Sequence, residues 1–404
     1  MTDNEKSTKA LEVALADYEL KLTQKREIES YYETKRDELH LKGTERVARY
    51  LEDPGPFFNR QILYAHNDFE TILKAIGDGT EWTIVSGLNP SGPLHFGHKA
   101  MMDVLLWFQK TYKVHVYIPI TNDETYVVGK AASLCESRRI AYEFVIPSII
   151  ALGFDPRLTH IFVHSDYPTL TNLAMFLSKY MTYNTVRGLF GWTGSENIGT
   201  VFYMGALQMA SIIMPQLPEF GGPKPVLVPV GIDQHPYIAL SRDVAKRLRL
   251  VQPSEVIWKF LMGLKGPDKK MSSSVADSAI WLTDTPADAA RKIKKAYTGG
   301  SSLASLHRER GAIPEVCSIF SLIAFNFLSD DGLGVLRDDY ESGRLLSGDL
   351  KSRAIELVSD FLADHHRARE EAKTRIDDFI LKTPIRTPLE LDAIPAAAYA
   401  EETA

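Results

Sequence analysis

The feature that most constrains the fold is an alternation that begins near residue 76. Short runs rich in β-branched and aromatic residues recur: WTIVSG (82–87), KVHVYIPITND (113–123), THIFVHS (159–165) and KPVLVPVGIDQ (224–234). Between them lie stretches with helical character, from about His95 to Gln109, Glu124 to Leu152, 169 to 217 and 236 to 248. Apolar strands linked through helices predict a parallel sheet covered on both faces, so residues 76–285 read as a doubly wound, Rossmann-like α/β domain. A long helical stretch, about 124–217, reads as an insertion into it.

The flanks differ. Residues 4 to about 50 are rich in Glu, Lys, Arg, Ala and Leu with no proline before Pro54, which predicts a charged helical extension over 1–75. Beyond about residue 285 the strand signals stop. Pro286 opens a helical segment that ends at Gly299-Gly300, and three further helical segments follow, predicting a C-terminal α-helical domain over 286–384. Residues 385–404 read as a loosely held tail. A chain of 404 residues exceeds one ordinary core, in keeping with several units.

With 45% apolar and 24% charged residues, the chain has the balance of a soluble globular protein. No apolar run in the sequence suggests a bilayer span, and the polar start MTDNEKSTKALEV lacks the apolar stretch of a secretory signal. Cys135 and Cys317 stand far apart, which excludes a cysteine-rich zinc site and fits a reducing cytoplasm. A net charge of −6 argues against a protein that coats nucleic acid, so RNA contact would need a local patch. Two basic clusters could supply one: Arg291, Lys292, Lys294, Lys295, Arg308 and Arg310, and Lys351, Arg353, Arg367, Arg369, Lys373 and Arg375. Acidic neighbours dilute both, so each reads first as a solvated helix face.

Strand, turn and helix meet at NPSGPLHFGHK (89–99). A helix N-terminus at the carboxyl edge of a sheet favours anions. His95 and His98, three apart, share a face of the first turn and can donate to phosphate oxygens, while Gly97 leaves room for a flat base. Far downstream, GPDKKMSSS (266–274) combines Lys270 with Met271, Ser272, Ser273 and Ser274. Adenylyl transfer needs positioned positive charge and N–H or O–H donors where the phosphorus gathers negative charge.

Together these residues resemble the two signature motifs of the class I aminoacyl-tRNA synthetases, here His95-Phe96-Gly97-His98 and Lys270-Met271-Ser272-Ser273-Ser274. PVGIDQHPYIALSRDVA (229–245), ITNDETY (120–126), LTDTPADAARKIKKAYTGG (282–300) and DDYESGRLLSGDLKSRAIELV (338–358) are similar to the tryptophanyl branch of archaea and eukaryotes. The likeness runs from about residue 78 to 384. It implies activation of L-tryptophan with ATP and Mg²⁺, transfer to tRNA(Trp), a homodimer formed through the helical insertion, and no membrane.

It also implies roles. His95, His98, Lys270, Ser272 and Ser274 would serve catalysis. Gly87, Asn89, Gly97, Asp233, Met271 and Ser273 would bind ATP, with Asp233 on the ribose or adenylate. Glu124, Gln208 and Gln234 would hold the amino acid, and no residue would hold a structural metal. The chain departs from the eukaryotic pattern at Val85 and Pro119, where that pattern has a tyrosine and a glutamine. The rival readings are a tyrosyl enzyme of the same fold and a synthetase-like RNA-binding protein without catalysis.

Overall fold

The computed structural model describes residues 3–272 and 277–392. Its centre is a seven-stranded sheet. The strands are β1 (Lys42–Gly43), β2 (Leu63–Asn67), β3 (Thr83–Val85), β4 (His115–Ile120), β5 (Thr159–Val163), β6 (Val226–Gly231) and β7 (Ser254–Trp258), in the order β1-β2-β7-β6-β3-β4-β5. From β7 to β5 every pairing is parallel, whereas β2 joins β7, and β1 joins β2, antiparallel. The chain runs outward from β3 through β4 to β5, then returns to β6 and β7 on the other side. That reversal leaves a crevice above the carboxyl ends of β3 and β6, where open α/β sheets bind ligands.

Each inner strand sends alternate side chains to opposite faces, as the two-residue period demands. Ile84, Val116, Ile118, Ile161 and Leu227 enter one core; Val85, Tyr117, Phe162 and Val228 enter the other. Both cores are covered, which explains why these strands are apolar throughout. Tyr340, Leu350, Val358 and Leu362 of the C-terminal helices belong to the same core as Ile84. The helical region after residue 285 thus packs continuously onto the sheet.

Several sequence expectations need correction. The helix Asp3–Glu38 is as charged and long as expected, but residues 39–75 are not merely a helical extension, since β1 and β2 enter the main sheet. The stretch 124–217 is not one insertion, because β5 lies inside it and forms the sheet edge beside β4. Strand β7 and a hairpin of β8 (Met262–Gly263) and β9 (Gly266–Lys270) were hidden in short, mixed sequences. The tail docks as far as residue 392: Ile385 and Leu391 are buried, and the amide of Arg386 donates to Glu219. Finally, Ile198–Gln216 is a continuous helical run of 19 residues with mean hydropathy 1.4, long and apolar enough by composition to cross a bilayer. It includes a stretch of π-helix, Val201–Leu207, and its Leu207, Met209, Ala210, Ile213 and Met214 fill the second core.

Candidate active site

His95 ends the turn after β3 and caps the helix Phe96–Tyr112. Its Nδ1 accepts from the backbone N–H of Gly97 (3.1 Å) and His98 (3.3 Å), and Nδ1 of His98 accepts from the N–H of His95 (3.3 Å). These are reciprocal caps built from imidazoles in place of the usual Ser and Glu. With both Nδ1 atoms accepting, each neutral ring must carry its proton on Nε2. The rings stack at 3.8 Å, 19° apart. Burial lowers the pKa of both; His98 is held down to about 4, with the charge of Lys270 as the second cause, and His95 feels burial first, then His98 and Lys270. Both are therefore neutral Nε2–H donors at physiological pH, and both line the cleft.

The second motif is brought to the first by backbone pairing on both sides of its loop. The N–H of Met271 donates to the Leu261 carbonyl (2.9 Å), closing the hairpin. Beyond the loop, the N–H of Phe96 donates to Ile280 O (3.1 Å) and that of Leu282 to Leu94 O (2.7 Å). The residues on either side of the first histidine are thereby tied to the strand-like return from the serine loop. Met271 is buried, and a Cβ on Gly97 would lie 3.6 Å from its Cβ but only 2.9 Å from Cε1 of His95. Gly97 is thus required by the crowded imidazole.

Lys270 sits at the end of β9 with its ammonium 2.8 Å from Asp233 Oδ2 and 4.5 Å from the centre of the Phe260 ring. Asp233 and Gln234 follow β6 directly and face the cleft, both exposed. Ser272 lines the same cleft, and its carbonyl accepts from the Ser278 hydroxyl (2.9 Å). Ser273 and Ser274 lie outside the described residues.

Glu124 is buried behind the cleft lining, at the start of the helix Asn122–Val127. Its Oε1 accepts from Asn89 Nδ2 (3.0 Å), and its Oε2 accepts from Gln208 Nε2. The Asn89 side-chain oxygen in turn accepts from the Thr121 hydroxyl. Asn89 thus holds Glu124 through its amide while itself lining the cleft. Gly87 also serves packing: a Cβ there would stand 2.0 Å from the Pro119 carbonyl oxygen, where β3 and β4 end side by side. Val85 and Pro119 add apolar wall.

The cleft that joins these groups has a volume of about 370 Å³. It opens on His95, His98, Lys270, Asp233, Gln234, Asn89 and Gln208, whereas Glu124 does not line it and is linked to it only through Asn89 and Gln208. Sequence reasoning missed Asp123, His164, Ser211 and Tyr237. Only the position of Asp123 beside Glu124 hinted at any of them. The basic clusters, by contrast, are largely engaged: Lys292 is buried on Asp284 (2.6 Å), and Arg291, Arg367, Lys373 and Arg375 pair with carboxylates on their own or adjoining segments. Among the described residues, no three His, Cys, Asp or Glu side chains gather to hold a metal ion.

Comparison with known proteins agrees with this arrangement. Residues 78–363 match the family described as tRNA synthetases class I (W and Y). The chain is 38% identical to the tryptophan–tRNA ligase of Pyrobaculum arsenaticum, over 84% of its own length and 90% of that relative's. It is also 38% identical to that of Methanocaldococcus jannaschii, over 85% and 93%. Among solved structures, tryptophanyl-tRNA synthetase from Aeropyrum pernix superimposes with a TM-score of 0.79 at 32% identity, covering 88% of this chain and 97% of that one. The enzyme from Giardia lamblia gives 0.80 at 29% identity, covering 88% and 97%. With the family match spanning most of the chain and the two motifs meeting at one cleft, this protein belongs to the class I tRNA synthetases of the tryptophan and tyrosine group.

Proposed function

We propose that the chain is a tryptophan–tRNA ligase. The tryptophan carboxylate attacks the α-phosphorus of MgATP, the bond to the bridging oxygen breaks, and pyrophosphate leaves with that electron pair. A hydroxyl of the terminal tRNA ribose then attacks the adenylate carbonyl and AMP departs. No side chain needs to act as nucleophile; the site aligns the reactants and stabilises charge. The Nε2–H groups of His95 and His98 would donate to phosphate oxygens, and Lys270 would leave Asp233 for the pyrophosphate. Met271 and Gly97 would leave space for the adenine, and Asp233 and Gln234 would meet the ribose and amino-acid ends of the adenylate. Glu124, fixed by Asn89 and Gln208, would hold the ammonium. Mg²⁺ would arrive as part of the nucleotide substrate. The natural setting of this reading is a cytoplasmic homodimer.

The observation that carries the proposal is the meeting of two neutral imidazole donors and one lysine at the switch point of the sheet. ATP–pyrophosphate exchange with each amino acid tests it, followed by charging of a tRNA transcript with a CCA anticodon. Saturation at low tryptophan concentration is expected. Preference for tyrosine would transfer the chain to the tyrosyl enzymes, and absence of exchange with every amino acid would leave an RNA-binding protein.

A further inference from the structure

A buried relay outside the two motifs ends at the lining of the cleft. Asp123 Oδ1 lies 3.1 Å from His164 Nδ1, and His164 Nε2 lies 3.0 Å from Ser211 Oγ. All three residues are buried, and of them only Ser211 lines the cleft. Ser211 sits one turn beyond Gln208 on the helix Gln208–Ile213, so it faces the same side as the residue that holds Glu124. Nothing in the phosphate chemistry requires this relay.

We propose that Ser211 is the residue that reads the indole N–H of tryptophan, and that His164 and Asp123 position it for that purpose. The inference rests on the tryptophan reading above. The cleft that Ser211 lines has apolar wall in Val85, Pro119, Val228, Ile212 and Ile238. An indole offers one polar atom, a donor, and burying it without an acceptor is costly. The relay makes Ser211 an acceptor. A carboxylate can only accept, so His164 Nδ1 carries a proton. With a singly protonated ring, Nε2 accepts the Ser211 hydroxyl hydrogen. With a doubly protonated ring, Nε2 donates to Ser211, whose hydrogen turns to the Leu207 carbonyl, 3.3 Å away. In either state the hydroxyl hydrogen is spent inside the protein and an oxygen lone pair remains for the cleft. Thr121 and Tyr237 also place hydroxyls on the cleft, and Ser86 is a further competing acceptor: it is buried, lines the cleft and donates to Pro229 O (2.7 Å). It lacks a charged relay to fix it.

The test compares kcat/KM in ATP–pyrophosphate exchange for tryptophan and for 3-benzothienylalanine, in which sulfur replaces the indole N–H. The wild-type protein is expected to favour tryptophan by roughly 10²-fold or more, as sites built to bond a polar group do. Ser211→Ala should collapse that preference to within about threefold by lowering the tryptophan value and leaving the analogue's nearly unchanged. Ser211→Cys, with a weak acceptor, should fall between. His164→Gln should reduce the preference with the Tm monitored separately, because a purely structural role would lower both substrates alike. An undiminished preference in Ser211→Ala and Ser211→Cys, or a collapse in Ser86→Ala instead, overturns the inference while leaving tryptophan activation standing. Absence of wild-type exchange with tryptophan overturns the function itself, and this inference with it.

Discussion

His95 and His98 are capped and stacked, whereas Lys270, which lines the same cleft, is half-exposed and held by the Phe260 ring and an ion pair to Asp233, itself 44% exposed. The helix mouth is fixed by four residues of local backbone, so its donors are in place before any nucleotide arrives. The lysine stands at the end of a two-stranded hairpin, and an exposed ion pair contributes only about 0–1 kcal/mol, so phosphate can displace Asp233 at little cost. Rigid neutral donors and a movable charge suit different moments of one reaction. The first align the triphosphate; the second follows the charge that develops on the departing pyrophosphate.

Substitutions should separate the two. Lys270→Ala is expected to have the largest catalytic effect, lowering the kcat of exchange by roughly 10²–10³-fold, as loss of one transition-state donor does. Its Tm should not move, and a thermal melt beside the exchange assay checks both halves. His95→Ala should cost roughly 10²-fold in exchange and also about 0.5–2 kcal/mol in denaturant stability, because it removes the helix cap together with the donor. Equal stability in the two variants would break the contrast.

Acid should distinguish them next. Burial lowers the folded-state pKa of both histidines, His98 to about 4, so below the ordinary histidine value the unfolded chain takes up protons that the folded chain refuses. Stability is therefore complete above that value and falls as pH drops toward 4, by up to about 1.4 kcal/mol per pH unit for each ring, less for His98, whose edge stays open to the cleft. Urea titrations at pH 7 and pH 5 measure this, and His95→Ala should flatten the slope. The smallest effect belongs to Asp233→Asn: stability within about 0.5 kcal/mol of wild type, with the change confined to the KM for ATP. A large drop in Tm would show that the Lys270 pair is structural.

Much of this molecule was legible before any fold was known. Strand runs such as TIVSG and KPVLVPV are apolar throughout because both sheet faces are covered, and that property is written locally. So is the turn-to-helix transition at His95, where capping depends on residues three apart. The hairpin before Met271 was not legible, since two- and five-residue strands carry too short a period to register. Neither was β2, whose partner β7 lies nearly two hundred residues away in sequence. The hydrogen bond from Asn89 to Glu124 was not legible either, because it depends on β3 and β4 ending side by side, which no spacing reveals.

The sequence by itself determined which chemical groups exist and which local backbone carries them: two imidazoles on one helical turn, a lysine ahead of serines, a carboxylate after a buried strand. Only the tertiary structure decided that Phe96 pairs with Ile280, that Lys270 rests on Asp233, and that Asp123, His164 and Ser211 form one line to the cleft lining. Local order follows from periodicity and capping, which neighbours in sequence enforce. Convergence follows from strand order and core packing, which join residues whose separation in sequence leaves no mark on either one.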